Sequence, residues 1–228
     1  MTQRSVVILS GVRTAIGDSG GRLKDLAPTD LGARVVREAI HRAKVDPNDV
    51  GQCVIGNVIH TEAKDMYVSR VVALNAGLPN TSGAFTVNRL CGSGMQAIVS
   101  ASQTILLGDT DAAIGGGVES MSRAAYANLT QRWGQRMGDG KTIDMMVGAL
   151  TCPMGTGHMG VTAENVAAEA QITREDQDAC AVASQNRAAG AIKGGRFESQ
   201  IIPIEVKVKR DMVAWATDEH PKATTLEA

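Results

Sequence analysis

The sequence predicts an α/β protein in which helices cover a sheet. Three observations carry that expectation. Short apolar runs alternate with helix-periodic stretches from Val6 to Gly117. Glycines punctuate the turns between them. A lone cysteine, Cys91, stands where a strand gives way to a helix.

Val6-Val7-Ile8-Leu9, closed by Ser10-Gly11, reads as a first strand. Thr29 or Asp30 is placed to cap a helix whose inward face is Leu31, Val35, Ala39 and Ala43, flanked by Val36 and Ile40. Asp46-Pro47-Asn48-Asp49 makes a turn, and Gln52–Val58 a second strand. Tyr67 to Ala76 is helical and stops at Gly77, with Pro79 beyond. The strand Ala84–Val87 leads to Cys91, and Ala112-Ala113-Ile114 runs into Gly115-Gly116-Gly117. From Ser122 to Met159 no periodicity persists, so irregular loops with one or two short helices are expected. Thr162–Ala170 reads as a short helix, and Thr173 caps a better one that ends at Gly194-Gly195. Ile201–Lys209 alternates as a strand, with Pro203 marking an edge. The tail from Asp218 is polar and shows no further element.

The chemistry concentrates in Asn88-Arg89-Leu90-Cys91-Gly92-Ser93-Gly94-Met95. Met95, Ile98, Val99, Ser102, Ile105 and Leu106 fall at the offsets of one helical face, so Cys91 lies next to a helix N-terminus. Unpaired amides and the helix dipole favour an anion there. The advantage matters, because an ordinary thiol of pKa about 8.5 is only about 3% ionised at pH 7. Gly92 and Gly94 leave both sides of the sulfur open to a thioester carbonyl. A buried packing cysteine is the alternative; the strand–Cys–Gly-x-Gly–helix arrangement favours an acyl-accepting thiolate. The Gly115–Glu119 segment also lies at a strand's carboxyl end, where α/β folds place their chemistry.

Composition excludes several classes. The 228 residues of 23.8 kDa allow one large or two modest domains. Aromatic residues are only 3%, so aliphatic side chains must fill the core. A net charge of −1 supplies no basic field for nucleic acid. Val6–Leu9 is too short for a signal-peptide core or a membrane span, and a cytoplasmic location without membrane association is expected. Cys53, Cys91, Cys152 and Cys180 show no CxxC or framework spacing, against structural zinc and a disulfide scaffold. Cys53 and Cys180 are expected to be packing residues.

Four motifs resemble the thiolase family in order and approximate spacing: Gly11-Val12-Arg13-Thr14-Ala15-Ile16-Gly17, Asn88–Gly94, Gly115-Gly116-Gly117-Val118-Glu119-Ser120-Met121-Ser122, and His158-Met159-Gly160-Val161-Thr162-Ala163-Glu164-Asn165. Arg132–Gly138 and the His-Met-Gly triplet are similar to the biosynthetic acetoacetyl-CoA and β-ketothiolase branch. The resemblance implies a layered fold, with a strand–helix N-terminal domain over residues 1–121 lacking its last strand. A loop domain, incomplete at its end, would occupy 122–228, and the family's C-terminal half is not represented. It implies acetyl transfer between CoA thioesters, by Claisen condensation or thiolysis, through an acetyl-cysteine on Cys91. The Cys91 amide would belong to an oxyanion hole. His158 and Met159 would line the pantetheine channel, and Lys222 is the nearest candidate for the basic residue beside the adenine. Acetyl-CoA and 3-ketoacyl-CoA would be the partners, with no metal or resident cofactor and a homodimer or homotetramer as the assembly.

The departures are as informative. Family members also carry Asn-Glu-Ala-Phe, Gly-His-Pro and Cys-x-Gly-Gly-Gly motifs, and none occurs in this sequence. These supply the base, the enolate-binding groups and the proton shuttle, each worth about 10² or more. The chain alone is therefore expected to hold a CoA ester without turning over. Two alternatives remain: a non-catalytic CoA-ester-binding or assembly module that needs a separate C-terminal chain, and a cysteine hydrolase pairing Cys91 with His158.

Overall fold

The computed structural model describes residues 4–226. Its centre is a parallel three-stranded sheet of β1 (Val50–Gly56), β2 (Gly83–Val87) and β3 (Ala112–Gly117), in the order β2-β1-β3. Cys53 pairs with Ala84 on one side and Ile114 on the other. Helices α1 (Pro28–Ala43) and α2 (Val68–Ala76) cover one face, where Val36, Ile40, Cys53, Ile55, Val68 and Val72 share a core. Helix α3 (Ser93–Leu107) covers the other, with Val54, Ala97 and Ala101 between. The alternation of Cys53 and Ile55 with Val54 is the period-2 pattern of a strand buried on both faces.

Helix α1 begins at Pro28, with Ala27 as its N-cap and no side-chain cap, so neither Thr29 nor Asp30 caps it. Proline at the first helical position has its φ already set and lacks one of the amides a cap would satisfy. The Thr29 hydroxyl is instead buried without a partner. The buried face is Leu31, Gly32, Ala33, Val36 and Ile40, while Val35, Ala39 and Ala43 are only partly covered. Packing against α2 turns the helix this way, since a Cβ on Gly32 would come within 2.8 Å of Val72.

Helix α3 buries its small residues rather than its large ones. Ser93, Ala97 and Ala101 face the sheet, whereas Met95, Ile98, Val99 and Leu106 are exposed. The sheet dictates this choice. A Cβ on Gly115 would lie 2.7 Å from the Ile98 Cα, so the helix rests on strand backbone and only small side chains fit between. By length and composition Leu90–Leu107 could cross a membrane. The helix itself has 15 residues, about 22 Å against a hydrocarbon thickness of about 30 Å.

The expected strand Val6–Leu9 does not form; these residues belong to no ladder among the described residues. Arg4 is held by Asp111 at 2.7 Å and the Ser10 hydroxyl by the Ala39 carbonyl at 2.6 Å. Between these ties Val7, Ile8 and Leu9 are 72%, 84% and 61% exposed. An apolar run becomes a strand only when a neighbour accepts its backbone hydrogen bonds. Here a cavity of about 960 Å³ separates the segment from β3, lined also by Val35, Ala39, Ile98 and Ile105. A polarity-sensitive fluorescent dye is accordingly expected to bind the native chain at neutral pH. Ile8→Ser should weaken the signal while shifting stability by no more than about 0.5 kcal/mol. A dark native state that brightens only in denaturant would count against the open slot.

The remainder is smaller in scale. Strands β4 (Tyr126–Asn128) and β5 (Thr142–Asp144) pair antiparallel, followed by helix α4 (Met145–Ala149). A two-residue ladder joins β6 (Thr151–Cys152) to β7 (Gly157–His158). Helices α5 (Met159–Glu169) and α6 (Arg174–Lys193) follow, and the Thr173 hydroxyl caps α6 at the Asp176 amide as expected. Strand β8 (Ile204–Val208) pairs with β9 (Asp211–Trp215), which the sequence reading missed. Ile202, Ile204 and Val206 pack with Leu31, so this hairpin adheres to the start of α1.

The polar tail beyond β9 clasps the N-terminal loop. The Asp218 side chain is 7% exposed and accepts from both terminal guanidinium nitrogens of Arg13, at 2.8 and 3.0 Å, and from the Ile16 amide. Glu219 accepts from the amides of Asp18 and Arg22, while Arg22 lies over the Trp215 ring at 4.1 Å. The Arg13 hydrogen bond, aided by the Ile16 amide, holds the Asp218 carboxyl below its ordinary range. A depressed folded-state pKa means that the clasp contributes fully above the unfolded value, near 4, and is lost as pH falls through the folded value. Asp218→Asn is expected to cost about 2 kcal/mol in urea unfolding at pH 7. The same comparison in acid, below both values, should show the two chains converging.

Candidate functional site

The cysteine turn is built from the sheet outward. After β2 the Asn88 side-chain oxygen accepts from the Leu90 amide at 3.0 Å, bending the chain. Gly92 and Ser93 donate to the carbonyls of Arg89 and Leu90, at 3.1 and 2.9 Å, and α3 begins. Cys91 thus sits just ahead of the Gly92 N-cap and is exposed. Among the described residues no acceptor takes the amides of Cys91, Gly94 or Met95. The helix start therefore offers free donors beside the sulfur.

Close approach is enforced from below. A Cβ on Gly56 would lie 2.5 Å from the Ser93 carbonyl carbon and 2.8 Å from the Gly94 nitrogen. One on Gly117 would lie 3.2 Å from the Gly94 Cα. The ends of β1 and β3 therefore seat the first turn of α3 and set the height of Cys91 above the sheet. Gly92 and Gly94 have no protein atom closer than 3.4 Å to an added Cβ, so the fold itself does not require them. Their bareness keeps the approach to the sulfur clear.

The other thiols differ. Cys53 is buried, and burial pushes its thiol up to about 12, so it packs and does not react. Cys180 is exposed, which corrects its expected packing role, because α6 buries none of its residues. Cys152 ends β6, where the Thr156 hydroxyl, then the Met154 and Thr156 amides, all of the β6–β7 turn, hold its thiol below the ordinary value.

His158 and Met159 lie in the second half of the chain, at the start of α5. The His158 Nδ1 accepts from the Gly160 amide at 3.1 Å, making it the helix cap, and no acidic group orients the ring among the described residues. Met159 is exposed. No hydrogen bond joins either residue to Cys91 among the described residues. The Lys222 ammonium stands 3.5 Å from Asp18, which also meets His220 at 3.0 Å.

Two polar side chains meet at the strand ends: Glu119, in the segment the sequence places at a strand's carboxyl end, and Asn57, which the sequence does not single out. Asn57 donates to the Val118 carbonyl at 2.9 Å and to Glu119 at 3.0 Å. Glu119 also accepts from the amides of Val58 and Ile59, at 2.9 and 3.0 Å. Desolvation pushes its carboxyl above the ordinary value, opposed by those two amides. Together they tie the carboxyl ends of β1 and β3 beside the Cys91 turn. The visible signal is a polar residue within two positions of a strand's last glycine, Asn57 after Gly56 and Glu119 after Gly117-Val118. No group of three or more His, Cys, Asp or Glu residues could hold a metal ion among the described residues.

Fold and turn define a layered α/β protein that presents a cysteine at a strand-to-helix junction. A family model described as the thiolase N-terminal domain matches residues 6–228. The chain belongs to the thiolase family. It is 60% identical over 217 residues to the beta-ketothiolase BktB of Cupriavidus necator, covering 95% of this chain and 55% of that protein. It is 42% identical to the acetyl-CoA acetyltransferase of Syntrophomonas wolfei, covering 99% and 57%. Among solved structures, the Bacillus anthracis acetyl-CoA acetyltransferase superposes with a TM-score of 0.91 at 42% identity, covering 97% of this chain and 56% of that one. Human mitochondrial 3-ketoacyl-CoA thiolase in complex with CoA superposes at 0.90 with 38% identity, covering 96% and 55%. The chain spans about half the length of the curated relatives it matches.

Proposed function

We propose that this chain is the acyl-accepting portion of a thiolase-type acyltransferase, with Cys91 as nucleophile. The single observation that carries the reading is an exposed sulfur beside the open amides of the α3 start, in a chain 60% identical to a beta-ketothiolase. The Cys91 thiolate attacks the thioester carbonyl, a new carbon–sulfur bond forms, and the bond to CoA breaks. CoA departs as a thiolate that takes a proton from water or buffer. The free amides around Cys91 face the charge that develops on the carbonyl oxygen. In the same reading, acetyl-CoA and 3-ketoacyl-CoA are the substrates, His158 and Met159 contact the pantetheine arm, and no resident cofactor takes part.

Lys222 fits its adenine-side role least well, because Asp18 already engages its ammonium. Turnover by Claisen condensation needs the base and enolate-binding groups whose motifs this sequence does not contain. A homodimer or homotetramer and a cytoplasmic location belong to the proposal. The human relative is named mitochondrial, so the fold does not set the compartment.

A non-catalytic assembly module is the second reading, supported by the uncovered apolar face of α3. An apolar helix face left open on the surface is one that a partner or larger assembly covers. Incubation with excess acetyl-CoA followed by peptide mass spectrometry separates the two: an acetyl group on Cys91 supports the first, and CoA binding without an adduct the second. The hydrolase alternative loses its support, since His158 Nδ1 accepts from the Gly160 amide, which puts the ring proton on Nε2 and leaves no free base nitrogen for Cys91.

A further inference from the structure

The turn that presents Cys91 makes an unusual demand on the residue before it. Four non-glycine residues have positive φ among the described residues: Lys44, Leu90, Gln171 and Lys209. Lys44 caps α1, Gln171 follows the C-cap of α5, and Lys209 occupies the β8–β9 hairpin turn, all common sites for left-handed backbone. Leu90, with φ of 48°, is the one with a branched apolar side chain, and it sits in a strand-to-helix turn. A left-handed leucine is disfavoured because its Cβ crowds the following carbonyl oxygen. Something in the surroundings must hold it there.

Ser93 supplies that hold. It is 5% exposed, and its hydroxyl accepts from the Arg89 amide at 2.8 Å and donates to the Leu90 carbonyl at 2.6 Å. One oxygen thus bridges the peptide groups on both sides of the Leu90 bend. Ser93 is not capping α3 in the usual sense. The N-cap is Gly92, no side chain caps the first helical amides, and the Ser93 hydroxyl reaches backwards into the turn.

We propose that Ser93 is a positioning residue whose hydroxyl clamps Leu90 in the left-handed conformation and thereby aims the Cys91 sulfur outward at the helix start. The inference rests on Cys91 being the nucleophile. Asn88 assists from the other side by accepting from the Leu90 amide.

The test measures iodoacetamide labelling of Cys91 by peptide mass spectrometry at fixed neutral pH, with exposed Cys180 as internal reference. Ser93→Ala is expected to slow Cys91 labelling about tenfold, the scale of one or two lost hydrogen bonds, and to leave Cys180 unchanged. Adding Leu90→Gly should restore the rate, because glycine adopts positive φ without a clamp. A serine that merely fills space would not be rescued in this way. Should Ser93→Ala fail to fold, Leu90→Gly with and without Ser93→Ala gives the same answer: equal labelling supports the clamp, and an equally large loss overturns it. An unchanged rate in folded Ser93→Ala also overturns it. Absence of an acetyl adduct on wild-type Cys91, with the labelling pattern intact, would sink the acyltransfer reading and leave the clamp standing.

Discussion

Excess acetyl-CoA is expected to leave one acetyl group on the chain, at Cys91, and Cys91→Ala to remove it entirely. Deletion of a covalent nucleophile is among the largest single-residue effects known, on the order of 10⁶ in rate where measured. The chain carries its own controls. Cys53 is sealed in the core with its thiol pushed up to about 12, so it should stay unmodified in the folded state. Cys180 is exposed without any helix start beside it, and reports background acylation. Cys152 is the demanding comparison, because the Thr156 hydroxyl and the Met154 and Thr156 amides favour its thiolate. What it lacks is the amide-lined helix terminus of α3. Equal acetylation of Cys152 and Cys91 would mean that thiol ionisation alone governs the reaction, and would refute a built acyl site. The adduct should persist, since the family groups that pass the acetyl on are not encoded in this sequence.

The second large effect lies in the glycines beneath α3. Gly115→Ala and Gly56→Ala should each cost about 3 kcal/mol, because the new methyl meets backbone rather than a yielding side chain. At Gly115 it would come within 2.7 Å of the Ile98 Cα, and at Gly56 within 2.5 Å of the Ser93 carbonyl carbon. Gly116→Ala, one residue along the same strand, has no atom within 4 Å of its Cβ. It should be neutral, or stabilising by about 0.5 kcal/mol through the reduced freedom of the unfolded chain. Urea midpoints of the three variants test this directly, and three equal losses would show that strand glycines as such matter. Gly56→Ala should also lift the first turn of α3 and slow acetylation of Cys91, linking packing to chemistry.

Local chemistry made much of this legible. Gly77 and Gly108 close α2 and α3 in left-handed conformations, at φ of 101° and 85°, and Gly77 was readable as a stop. The Thr173 cap was equally visible, because capping depends on residues three apart. Strand β9 was missed, since Asp211–Trp215 pairs with β8 across a tight turn that its own sequence does not advertise. Asn57 and Glu119 were also hard to see as partners, lying 62 residues apart in the chain.

By itself the sequence determined the alternation of strands and helices, the stops between them, and the cysteine poised at a strand-to-helix junction. All of these depend on neighbours within a turn or two. Tertiary structure alone decided that Val6–Leu9 stays unpaired, that α3 turns its alanines inward, and that Asp218 clasps Arg13 from 205 residues away. The physical reason is common to all three. Periodicity records which face of an element is apolar, whereas a hydrogen-bonding edge, a bare glycine surface or a distant counter-charge is supplied by another part of the chain.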